Sequence, residues 1–77
     1  MNDVSFAKLQ WQCRRGMLEL DVILNRFLTE SYPHITPQQQ AAFAQLLTCT
    51  DAELWGWLME DQPAPQGFME IVALIKQ

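Results

Sequence analysis

The chain has little glycine, few bases and no long apolar run, and each shortage narrows what it can be. Three glycines in 77 residues leave no glycine-rich loop of the kind that cradles phosphates and no dinucleotide fingerprint. Lys and Arg number five against nine Asp and Glu, a formal charge of −4. That balance disfavours nucleic acid, whose phosphates call for a basic face, and points to protein partners. No segment is long and uncharged enough to insert into a bilayer. The opening "MNDVSFAKLQ" puts an acid before its first base and lacks the apolar stretch of a secretory leader, so a cytoplasmic chain is expected. Cys13 and Cys49 form neither a C-x-x-C pair nor a zinc set and read as small buried hydrophobes. His34 sits alone in a turn, with no second ligand at metal spacing and no Ser or Cys set around it. Neither a metal site nor catalysis is expected.

What is present is a chain 49% apolar, enough to exclude disorder, though a core of this size is only marginally sufficient. One domain, residues 1–77, is expected. Apolar residues recur with helical period throughout and nowhere alternate as a half-buried strand would, so the fold class is all-α, a small bundle of about five short helices. The first spans about Val4 to Arg14, capped by Asn2, Asp3 or Ser5, and Gly16 interrupts it. The second runs from about Met17 to Ser31, ending at Tyr32 and Pro33. In "HITPQQQ", Thr36 is an N-cap, Pro37 fits the first turn and Gln39 closes a capping box, starting a helix to about Thr48. "TDAE" repeats the device with Thr50 and Glu53 for a helix to about Glu60, stopped by "DQPAPQG". The last, about Gln66 to Lys76, stripes Phe68, Ile71, Val72 and Ile75 and places Lys76 near its negative end.

On a helical wheel Met17, Leu20, Leu24, Phe27 and Leu28 share one face of the second helix, the core face. The opposite face gathers Arg15, Glu19, Arg26 and Glu30, with Val22 beside them. A solvated stripe is the ordinary explanation. Both (i, i+4) pairs, however, run base before acid, the weaker order, so helix stabilisation explains the choice poorly and a contact surface is the alternative. Gly16 has two readings: a left-handed helix end, or a point where another backbone comes close. Trp57 lies well over 90° around the fourth helix from Trp55, so one contact cannot bury both. Either surrounding helices cover both flanks, or one of them is an exposed aromatic anchor.

"WQCRRGMLELD" followed by "LTCTDAELWGWLM" closely resembles the small bacterial succinate dehydrogenase assembly factors, the FAD assembly factor SdhE family. Their Arg-Gly-x-x-Glu signature is matched by Arg15, Gly16 and Glu19. Trp11, Arg14, Met17, Leu20 and Asp21 extend the match around it, as do Asp51, Leu54, Trp57, Leu58 and Met59 in the fourth helix. The resemblance covers nearly the whole chain. It implies a monomeric, chaperone-like binding module for the flavoprotein subunit of succinate dehydrogenase, and of fumarate reductase, that promotes covalent FAD attachment. The electrophile and the nucleophile of that reaction both belong to the client, so the helper contributes positioning and no catalytic group of its own. FAD would be attached to the client and not bound by this chain. The implied partner-binding residues are Arg14, Arg15, Gly16, Glu19 and Asp21, with Arg15 and Glu19 reaching the client, Gly16 permitting close approach, and Trp11 and Trp57 as supporting surface. Proteins of this family also suggest a second role, as the antitoxin-like cytoplasmic adaptor of a small inner-membrane protein.

Overall fold

A computed structural model describes residues 6–77, and among these all regular structure is helical: α1 (Phe6–Gln12), α2 (Leu18–Glu30), a 3-10 turn (Tyr32–His34), α3 (Pro37–Leu46), α4 (Asp51–Met59) and α5 (Gln66–Lys76). The expected caps Asn2, Asp3 and Ser5 lie outside the described residues. α2 is the central element, packing on α1, α4, α5 and the 3-10 turn, while α3 lies along α5. The body measures 34 × 26 × 20 Å.

Both sequence-predicted capping boxes are formed. Thr36 Oγ1 accepts from Gln39 N–H at 3.1 Å while Gln39 Oε1 accepts from Thr36 N–H at 3.0 Å. The Thr50 and Glu53 pair does the same at 3.2 and 3.0 Å. α3 ends two residues before the expected Thr48, because its last turn tightens into i to i−3 bonds from Thr48 and Cys49 to Gln45 and Leu46. α4 stops where Asp61 adopts φ 57° and the Gln62 N–H turns back to the Gly56 carbonyl at 2.9 Å. Lys76, at the end of α5, pairs with Asp61.

The core follows the wheel: Leu20, Leu24, Phe27 and Leu28 of α2 are buried, and Met17 packs partly against them. Phe43 of α3 is 0% exposed and meets Phe27 and Tyr32 at centroid distances of 5.1 and 5.7 Å. Tilted aromatic pairs at this spacing add to simple burial. Trp57 is 8% exposed, its ring 5.8 Å from Phe68 of α5. Its expected role as supporting surface is therefore corrected: α5 covers that flank of α4, and Trp55 is only partly buried. Of the tryptophans, the exposed one is Trp11 at 72%.

Candidate functional site

The segment between α1 and α2 reverses the chain at Gly16, whose φ of +77° is left-handed and disfavours any residue with a Cβ. Of the two readings of this glycine, the left-handed conformation is present. A Cβ built there meets nothing within 4 Å, so within the chain itself no neighbour demands its smallness. Asp21, in the first turn of α2, reaches back to the reversal. One carboxylate oxygen accepts the Arg15 N–H at 2.6 Å and the other the Gly16 N–H at 3.3 Å. These two amides lie beyond the end of α1 and have no helical acceptor, so the carboxylate supplies what the backbone lacks. The adjacent N-terminus of α2 favours the same negative charge.

Arg15 does not belong to α2, which begins at Leu18, and so it does not share a helical face with Glu19. The wheel had carried the helix back through residues that form the turn. Its guanidinium instead crosses to the connection between α3 and α4. Nε donates to the Gln12 carbonyl at 3.0 Å, and Nη1 to the Cys49 carbonyl at 2.9 Å and to Asp51 Oδ1 at 3.2 Å. Nη2 donates to the Leu47 carbonyl. The side chain is 15% exposed. The other expected pair, Arg26 with Glu30, is present at 3.6 Å but both partners are largely in water, where such a pair is worth little.

Arg14 and Glu19 are exposed on either side of the reversal. The Arg14 guanidinium carbon lies 6.0 Å from the centre of the Trp11 ring, within cation–π range. Trp11, Arg14, Asp21, Val22 and Asn25 line a groove of about 450 Å³ between α1 and α2, with Cys13 at its floor. Leu18 and Val22 are 79% and 55% exposed, adding apolar surface next to the charged groups. The sequence reading placed Val22 beside the charged stripe but passed over Leu18. Its signal was available: position 18 lies off the Leu20, Leu24 and Leu28 face, so a leucine there has no core to enter.

Burial pushes the Cys13 thiol up to about 11, with nearby Arg15 acting in the opposite direction and Asp21 in the same one. Cys49 is also raised, by burial and then by Glu53, against Arg15. Both cysteines are free, and neither environment favours a thiolate nucleophile. Among the described residues no cluster of His, Cys, Asp and Glu could hold a metal ion. None of the described helices is long and apolar enough to cross a membrane. The arrangement offers a mixed polar and apolar surface built around a hydrogen-bonded backbone reversal.

Comparison with known proteins matches residues 7–77 to the family described as "Flavinator of succinate dehydrogenase". The chain is 40% identical over 76 residues to the FAD assembly factor SdhE of Legionella pneumophila strain Lens, covering 99% of this chain and 96% of that protein. It is 39% identical over 75 residues to the protein of the same name in Pseudomonas aeruginosa, covering 96% and 89%. With that of Mannheimia succiniciproducens it shares 49% over 60 residues, covering 78% and 70%. No solved structure matches the chain significantly.

Proposed function

This chain belongs to the flavinator of succinate dehydrogenase family, and we propose from that membership that it is a non-catalytic binding module. It holds the flavoprotein subunit of succinate dehydrogenase, and that of fumarate reductase, while FAD becomes covalently attached to that client. The observation that carries the proposal is the near full-length likeness to proteins named FAD assembly factors. The geometry supports it: the exposed groups around Gly16 can dock on a protein surface. The docking face is the segment from Arg14 to Asp21, with Trp11 beside it. Gly16 lets a client backbone come close, and Arg14 and Glu19 supply charge of both signs at its edges.

Such a module accelerates a reaction it does not perform. Holding the client's domains so that its own nucleophile faces the flavin removes part of the orientational cost of bond formation. FAD is then substrate to the client and not a resident of this chain. The chain acts in the cytoplasm as a monomer.

The test is deletion of the gene followed by in-gel flavin fluorescence of the denatured flavoprotein subunit. Covalent flavin is expected to fall in the deletion strain and to return with the native chain, but not with an Arg14→Ala, Glu19→Ala double variant. Undiminished covalent flavin in the deletion strain would refute the proposal.

A further inference from the structure

We infer that Arg15 is a positioning residue: its guanidinium latches the α3–α4 connection onto the loop that carries Gly16, and its neighbours make the contact with the client. The inference about client contact rests on the function proposed above. The latch itself is a property of the free chain.

Counting donors carries the argument. A guanidinium has five N–H groups, and four hydrogen bonds hold it to acceptors of its own chain: the carbonyls of Gln12, Leu47 and Cys49, and the carboxylate of Asp51. One N–H is left for anything outside. The acceptors have a common origin. Gln12 ends α1 and Leu47 caps α3, so their carbonyls point out of helices whose C-terminal ends are partially negative and short of donors. One cation therefore closes two helix ends, and through Asp51 it also touches the first turn of α4. Its own main-chain N–H is held by Asp21, which ties the same residue to α2. A client carboxylate competing for this fork would have to strip carbonyls that no other donor among the described residues is placed to satisfy, leaving them partly buried and unpaired.

The alternative, a contact arginine, has a better candidate next door. Arg14 is exposed, its guanidinium resting over Trp11, and among the described residues no acceptor consumes its donors in this way. Arg15 thus sets the position of Gly16, and the surface around Gly16 meets the partner. Lysine cannot replace it. An ammonium is a point donor without the planar fork that spans carbonyls from two helix ends.

The test has two arms. In the free chain, nitrogen-15 spectra should show the Arg15 Nε–H exchanging with water at least about tenfold more slowly than those of Arg14 and Arg26, as a bonded group opens less often. Both Arg15→Lys and Arg15→Ala should displace the Gly16 and Asp21 amide resonances while the core resonances of Leu24 and Phe43 stay in place. A general loss of stability would not produce that pattern. In the second arm, association with the purified flavoprotein subunit is followed at several salt concentrations, at a temperature where each variant is fully folded. Arg14→Ala should flatten the salt dependence of the association rate, as loss of a contacting charge does. Arg15→Ala should weaken binding, by about tenfold, with the native salt dependence retained. Fast Nε–H exchange at Arg15, or a salt dependence flattened as much by Arg15→Ala as by Arg14→Ala, would overturn the inference. Failure of the native chain to bind would count against the proposed function, and the exchange rates would still decide the latch.

Discussion

Gly16 separates the chain's own needs from those of the client proposed for it, because its two possible constraints scale differently with side-chain size. At φ +77° an L residue is strained by about 1–2 kcal/mol, with Asn the mildest case. Restricting the unfolded chain offsets about 0.4–1 kcal/mol of this. A Cβ at this position meets nothing within 4 Å, so no steric cost is added as the side chain grows. Gly16→Asn, Gly16→Ala and Gly16→Arg should therefore cost similar, small amounts, about 0–1.6 kcal/mol net. For a chain of this length each kcal/mol lowers Tm by roughly 4–8 °C. Urea unfolding of the three variants, followed by tryptophan fluorescence, measures this directly. Flavinylation should behave otherwise. If a client backbone lies against Gly16, activity falls from Asn or Ala to Arg while stability stays level, and covalent flavin in a deletion strain carrying each variant reads the trend. Stability that falls steeply with side-chain size would refute the open-space argument. Full flavinylation by Gly16→Arg would refute the close approach.

Thr36→Ala and Thr50→Ala each remove one capping box and should each cost about 1 kcal/mol, read as a lower urea midpoint at unchanged slope. Because the two boxes share no partner, the double variant should show the sum. Phe43→Ala empties the site between Phe27 and Tyr32 and should cost about 3–5 kcal/mol, enough to abolish the near-ultraviolet dichroism of a small domain at 37 °C. Cys13, held at about 11 against an ordinary value near 9.0, binds its proton more tightly folded than unfolded. Its contribution is complete below pH 9 and is lost as pH rises through 11, so stability should decline across that window. Cys13→Ala should flatten the decline, and an equally steep fall in that variant would assign it to other groups.

The fold was largely legible because its determinants are local. Thr-x-x-Gln and Thr-x-x-Glu announce helix starts through atoms three residues apart, and the α2 core face follows from spacing alone. Trp57 was ambiguous for the opposite reason. Whether its flank is covered depends on where α5 lands, and nothing in "LWGWLM" encodes the approach of Phe68 from beyond the next loop. Arg15 was the hardest case. Its acceptors are mostly backbone carbonyls, one of them 34 residues away, and a carbonyl belongs to every residue type alike, so no side chain in the sequence marks it. The wheel offered Glu19 as a partner only because it continued α2 back through a residue with positive φ.

Correcting that one boundary changes the chemistry assigned to the whole segment. Arg15 and Asp21 lie on opposite sides of Gly16, and both turn inward: one to the ends of α1 and α3, the other to the two amides of the reversal. Gly16 is then the fixed point between two internal anchors, and Arg14 and Glu19 are the charges left outside. A loop fixed in this way loses little conformational freedom on docking, which favours affinity from a small contact area. On the function proposed above, a module of 77 residues that orients a client has most need of such rigidity at the place where the two meet.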